Sequence, residues 1–214
     1  MKKYLLPLFV IILVALNATS CLDVGNDIDR VNLRGAAATL ARTPSGETVF
    51  VTDDSITMHP SEAVTAADSL IGMRYFLDFR LLEQTATDFD IAIINIQQMI
   101  VDTVVASAPS RADDYVEPRI VWTSGSYINM LLTVEASTIW SHDFTLYDVS
   151  TDDNLCFELR HDRNNDPYNT QTRAAISFDA KKYIDAATAD SIPVQLSINV
   201  KNYGHRVSTF YLTK

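Results

Sequence analysis

"RIVWTSGSYINMLLTVEAS", residues 119–137, holds two apolar runs joined by a four-residue polar connection, Thr123 to Ser126. Ile128, Met130, Leu132 and Val134 recur at every second position. That period places them on one face of a strand, and a face so apolar belongs to a core. The glycine-containing connection reads as a tight hairpin. Tyr127 then falls on the opposite face. Five further stretches continue the pattern: "HDFTLYDVS" (142–150), "NLCFELRH" (154–161), "RAAISFDAKKYI" (173–184), "IPVQLSINVKN" (192–202) and "RVSTFYLTK" (206–214). Strands spaced about ten residues apart and separated by turn residues predict a sandwich or a barrel. One short helix has room within 178–191.

Upstream the chain is also strand-rich. "VNLRGAAATL" and "TVFVTDD" flank a turn at "TPSGE" (43–47), where Pro then Ser-Gly suits a hairpin. Pro60 stops pairing after "SITMH". In "SLIGMRYFLDFRLLEQ" (69–84), Tyr75, Leu77, Phe79 and Leu81 alternate with Arg74, Asp78 and Arg80, which predicts a half-buried strand. "TATDFDIAIINIQQMIV" (85–101) is apolar on both faces. It reads as a strand, with a short helix over "IINIQQMIVDTVV" as the alternative. "SAPSRADDY" (107–115) has Pro, Ser and charges without apolar periodicity and is expected to link two domains.

The first twenty residues read as an export signal. Lys2 and Lys3 precede the apolar run "YLLPLFVIILVAL" (4–16), and "NATS" follows. The run is too short to be taken first as a membrane span. Ala18, Thr19 and Ser20 before Cys21 resemble the lipobox of bacterial lipoproteins. That resemblance implies cleavage before Cys21, lipidation of its sulfur and acylation of the new amine. Several acyl chains would anchor the protein stably, since each buried CH2 contributes about 0.8 kcal/mol. Residues 21–29 then form a lipidated tether. The remaining thiol, Cys156, reads as a small strand side chain, and the domains need no disulfide. Beyond residue 20 the chain carries 15 basic and 27 acidic side chains. Such a field repels phosphate backbones, so nucleic acid is not an expected partner. Residues 27–114 hold six basic and fourteen acidic groups and 115–214 nine and twelve, an asymmetry that hints at two units.

The stretch "LCFELRHDRNNDP" (155–167) concentrates polar chemistry. Asp162, Asn164 and Asp166 have the spacing that opens a calcium loop. Pro167 stands where such a loop needs glycine, and Arg173 where it needs a bidentate Glu, so an EF-hand is excluded. A looser oxygen-lined site and an ordinary strand-ending turn are the remaining readings, and Asn and Asp suit the turn. The histidines, His59, His142, His161 and His205, show no metal-binding spacing, although folding could bring His142 and His161 together. The sequence has no nucleophile elbow and no glycine-rich phosphate loop. The pairs Asp53-Asp54, Asp113-Asp114 and Asp152-Asp153 read as solvated turns. Trp122, Tyr127 and Trp140 could stack on a sugar or receive a peptide strand; Trp122 reads more simply as core.

In order, "LIGMRYFLDFRLL", "FDIAIINIQQMIV", "IVWTSGSYINMLL", "LCFELRHDRNNDP" and "AAISFDAKKY" resemble the NigD-like lipoproteins of Bacteroidales-type bacteria. The resemblance covers nearly all of residues 27–214. It is most specific at Trp122 to Asn129, at Leu159 to His161 and at Asp166. It implies an all-β protein: a small OB-like barrel over 30–108, then an immunoglobulin-like β-sandwich over 115–214. Trp122, Tyr127, Asn129, His161 and Asp166 are the candidate ligand-binding residues; no catalytic residue, metal or cofactor is expected. The expected role is non-enzymatic binding or structure in the cell envelope. The membrane is reached through the lipid, and an envelope protein or glycan is the partner. The rival is a hydrolase, metal-dependent or not, around His161, Asp162 and Asp166. A third role, accessory or immunity-type in bacteriocin production, is suggested by the family's name. Leu22 after Cys21 lacks the aspartate that retains lipoproteins in the inner membrane, so the outer membrane is expected.

Overall fold

The computed structural model describes residues 33–106, 112–151, 154–167 and 170–214. The expected signal, the tether with Cys21, and residues 107–111 of the expected linker lie outside the described residues.

Five strands form the first body: β1 (Leu33–Arg42), β2 (Thr48–Thr52), β3 (Thr57–Pro60), β4 (Arg74–Gln84) and β5 (Asp88–Gln98). They close into a barrel in the order β1-β2-β3-β5-β4, with β3 and β5 parallel. Leu40, Phe50, Met58, Leu77, Phe79 and Ile91 fill its interior. The alternation read in 69–84 is the reason: Tyr75, Leu77, Phe79 and Leu81 face inward at period two. Register shifts at Asp78/Phe79 and Leu81/Glu83 bulge the β4–β5 ladder, and such bulges let a small sheet curl shut. β5 is strand throughout, not helix, as suits its β-branched isoleucines. Pro60 is the last residue of β3, where its missing N–H does no harm.

Nine strands form the second body: β6 (Ile100–Thr103), β7 (Val105–Ala106), β8 (Glu117–Ser124), β9 (Tyr127–Glu135), β10 (Asp143–Asp148), β11 (Leu155–Asp162), β12 (Gln171–Asp179), β13 (Ser191–Val200) and β14 (Gly204–Thr213). One sheet has the order β6-β12-β9-β8 and the other β14-β13-β11-β10-β7. Their inner faces share one core, with Ile128, Met130 and Leu132 from β9 against Leu146, Phe157 and Leu196 from the facing sheet. Among the described residues one α-helix, α1 (Lys181–Ala186), follows β12. The Asp179 carboxylate accepts the Lys181 N–H at its start, and Ile184 and Tyr183 turn into the sandwich.

The strand pairing moves the domain limit. β6 pairs with β12 and β7 with β10, so the sandwich begins at Ile100 rather than at 115. The chain leaves the barrel at Met99, which is buried and donates its N–H to the Arg74 carbonyl. Between β6 and β7 the buried Val104 marks the step from one sheet to the other. The Pro- and Ser-containing stretch therefore connects β7 to β8 within the sandwich. Its described end is pinned there: Asp114 N–H donates to the His161 carbonyl, and Val116 N–H to that of Asn199.

Candidate functional site

The hairpin of β8 and β9 presents its outward face to the barrel. Trp122 pairs with Asn129 and Ser124 with Tyr127, while Asn129 also pairs with Ser177 on β12. These residues alternate with the core-facing Ile128 and Met130, so they share the outer face of the four-stranded sheet. The barrel covers that face. Phe76 and Ala37 meet Leu131, Ala175 and Met99 in a small apolar cluster, with Trp122 packed against it. The Phe76 and Trp122 rings meet edge to face at 5.9 Å.

Beside this cluster lies a buried polar knot. The Arg74 guanidinium donates to both carboxylate oxygens of Asp53, at 2.6 and 2.9 Å. It also donates to Ser177 Oγ and Asn129 Oδ1, both at 3.2 Å, and lies 3.8 Å over the Tyr127 ring. Ser124 donates to Asp53, Asn129 Nδ2 to Ser124 Oγ, and Ser177 to Asn129 Oδ1. The Arg74 and Asp53 side chains are only 4% and 9% exposed. Charges so buried persist only when paired and hydrogen-bonded, and here they are. Gly125 completes the contact. Its φ is +50°, and a Cβ there would lie 2.9 Å from the Asp53 Cβ. Trp122, Tyr127 and Asn129 are thus occupied in joining the two bodies and do not form an open ligand face. Asp53 is not the solvated turn residue its Asp-Asp pair suggested.

At the other end of the sandwich, His161 and Asp166 do come together, through His142. His142 Nδ1 and His161 Nε2 share a hydrogen bond of 2.9 Å, and His142 Nε2 lies 3.2 Å from Asp166 Oδ2. The same oxygen accepts from the N–H and the hydroxyl of Ser137. Phe144 stacks on the His161 ring at 4.7 Å. Burial and the adjacent His142 push the His161 pKa down to about 4, so this ring is neutral at pH 7. Both nitrogens of His142 are engaged and its side chain is fully covered. Among the described residues no group of three His, Cys, Asp or Glu side chains is arranged to hold a metal ion.

The rival site centred on His161, Asp162 and Asp166 does not assemble. On β11, His161 points into the core and Asp162, one residue on, points to the other face, as strand geometry requires. Asp162 instead accepts the Asn164 N–H at 2.8 Å, while Asn164 and Asn165 take left-handed conformations at φ 50° and 63°. That is the turn chemistry the Asn-Asn pair favours. Asn164 Nδ2 ties the turn to the Ser141 carbonyl and to Asp143.

The barrel has an acidic side. His59 on β3 lies 3.3 Å from both Glu47 and Asp88. Hydrogen bonding to Glu47, aided by Asp88, raises the His59 pKa. A cleft of about 460 Å³ beside it is lined by Glu47, His59, Pro60, Leu82, Glu83 and Asp90. Across the Pro60–Ser61 ridge, a second cleft of about 320 Å³ is lined by Glu62, Val64, Ala92, Ile93 and Ile96. No local motif announces either, because their walls come from strands brought together only by barrel closure. A signal was nonetheless present: "IAIINI" (91–96) has more isoleucine than a five-stranded barrel can bury.

Residues 98–213 match the family model described as the NigD-like C-terminal beta sandwich domain. No curated protein matches the sequence. Among solved structures, the chain is similar to a protein of unknown function from Bacteroides vulgatus, with 17% identity and a TM-score of 0.67 over 85% of this chain and 92% of that one. It is similar to a NigD-like immunity protein from Bacteroides caccae, with 18% identity and a TM-score of 0.63 over 85% and 97%. A Bacteroides fragilis protein with lipoprotein in its name aligns at 10% identity and a TM-score of 0.54, over 85% and 97%.

Proposed function

This chain belongs to the NigD-like family, and from that premise we propose that it is a lipid-anchored envelope protein that works by binding a partner and not by catalysis. One observation carries the reading. The polar side chains best suited to chemistry, Arg74, Asp53, Asn129, His142 and Asp166, spend their donors and acceptors on one another inside the protein. The two clefts beside His59 and Ile96 lie elsewhere, on the barrel. Anchoring through Cys21 at the outer membrane is supported by the lipobox-like "ATSC" and by the word lipoprotein in the name of one structural relative.

The test uses the full chain expressed with its signal. Mass spectrometry of the mature N-terminus should find acyl chains on Cys21, and Cys21→Ala should release the protein from membranes. A free thiol on a diffusing wild-type protein overturns the anchor. Immobilised full-length protein should retain a component of envelope protein or glycan extracts; stoichiometric zinc or calcium, lost on Asp166→Ala, would instead favour the metal-dependent rival. An accessory role of immunity type is the second reading, favoured by the name of the Bacteroides caccae relative. It predicts that producing cells survive a co-produced toxin better than cells lacking the chain.

A further inference from the structure

β3 pairs with β5 only through Thr57–Pro60 against Asp88–Ile91, and the Ser61 N–H adds one bond to the Ile91 carbonyl. Past Ile91 the two strands part. From Ala92 to Gln97, β4 holds one edge of β5, and no described strand pairs with the other. Ile94, Asn95 and Ile96 are exposed in succession, with Ile94 at 61% and Ile96 at 44%. Ile94 is the residue that the β4–β5 register shift leaves unpaired, and these exposures leave the segment open to solvent around it and along one edge. The cleft of about 320 Å³ runs beside it, with Ala63 and Val64 on the far wall. An uncharged, isoleucine-rich open edge is a template for another strand, and proteins ordinarily blunt such edges with charge, proline or a cover. Residues 92–98, "AIINIQQ", have none of the charge or proline.

The surroundings select among occupants. Leu33–Gln98 hold nine carboxylates against four arginines and no lysine. Arg74 is consumed by Asp53, Arg42 bonds Asp68, and Arg80 has an interaction of its own. Glu62 lines the cleft, and Glu47, Glu83 and Asp90 line its neighbour across the Pro60–Ser61 ridge. A second copy would bring two acidic barrels edge to edge. The tether "LDVGNDIDR" offers Asp23, Asp27 and Asp29 against Arg30 and is no better matched. A cationic strand gains from the rim what either of these loses.

We propose that the open edge of β5 over residues 92–97 receives an extended peptide of a partner protein, in which lysine or arginine alternates with apolar residues. Backbone pairing supplies the affinity, the isoleucines and the cleft take the apolar side chains, and the acidic rim takes the cations. The inference rests on the reading of the chain as a binding protein and names the class of its partner.

The probe is a fluorescent ten-residue peptide alternating lysine with valine and isoleucine, titrated onto the full-length protein in detergent and followed by anisotropy. Binding is expected. It should weaken about tenfold or more when glutamate replaces the lysines or when a central proline blocks pairing. In the protein, Ile94→Lys and Glu62→Lys should each weaken it comparably, and both sites are exposed enough to leave the melting temperature unchanged. Equal binding of the glutamate peptide, or undiminished binding by both variants, overturns the proposal. So does absence of binding. If sedimentation then shows a dimer broken by Ile94→Lys, the edge serves a second copy. Retention of an envelope component by wild type and Ile94→Lys alike would overturn this site while leaving the proposed function standing.

Discussion

At the level of single residues, the strongest commitments are two buried polar groups. Arg74→Ala strands the Asp53 carboxylate against Ser124 without its cation, in a site almost closed to water. Breaking one side of such a pair costs about 3–5 kcal/mol, so chemical denaturation should show a loss of that size. Arg74→Lys should recover little, because a point charge cannot reproduce the two-pronged bond and the stacking on Tyr127. His161 makes a prediction about acid. Its folded pKa lies near 4 and its unfolded value is 6.5, so between these pH values the unfolded chain binds a proton that the folded chain refuses. Stability attributable to this ring is therefore complete above pH 6.5 and declines as pH falls toward 4, by on the order of 3 kcal/mol at most. His59 has the opposite sign: its raised pKa gives stability present below 6.5 and lost as pH rises, made small by solvent. Urea unfolding at pH 7.5 and pH 5 should show a smaller difference for His161→Gln than for wild type, and an equal difference would mean that the ring is not the titrating group. The sequence made His161 and Asp166 visible as polar residues near a turn. It could not show that His142, 24 positions before Asp166, would bridge them, because the bridge exists only once β10 lies beside β11.

Among the elements, legibility followed period. β9 was plain: Ile128, Met130, Leu132 and Val134 alternate, and all four are buried. The other face of the same strand was ambiguous for a physical reason. A residue such as Tyr127 or Asn129 looks alike whether its face meets water, a ligand or a second domain, and here it meets the barrel. β5 was ambiguous because both its faces are apolar, one to fill the barrel and one left open at Ile94. The β8–β9 hairpin depends on Gly125 twice, for its left-handed φ and for room beside Asp53. Gly125→Ala should cost about 1–2 kcal/mol for the backbone alone, with more from displacement of Asp53 and its bond to Ser124. Hydrogen exchange would separate the two contributions. If only the hairpin amides lose protection the cost is local, whereas exposure of Asp53 and its neighbours as well would show that the tip also seats the barrel.

For the whole molecule, the order of the two bodies was legible and the limit between them was not. Pro, Ser and charge in 107–115 interrupt the apolar period, and the described 112–115 lie outside any strand, but composition cannot say whether such a stretch joins domains or strands of one domain. The true crossing at Met99 lies inside an apolar run, since the chain passes from β5 to β6 within two residues. A crossing that short, with Phe76 wedged between Gly35 and Trp122 and Arg74 bonded to Asn129 and Ser177, makes the barrel and sandwich sides of this junction depend on each other. Neither side keeps its partners if the other opens: Trp122 would be left facing water, and Arg74 would lose two of its four hydrogen bonds and its contact with the Tyr127 ring. The full chain should therefore unfold by heat in one transition, with calorimetric and van't Hoff enthalpies agreeing. Phe76→Ala removes the ring at the centre of the contact, at a cost of about 3–5 kcal/mol, while leaving the inward faces of both cores intact. The barrel should then melt first and the endotherm should split in two. A split endotherm already in the wild type would show that the junction does not couple the bodies, and the buried arginine would then serve the barrel alone.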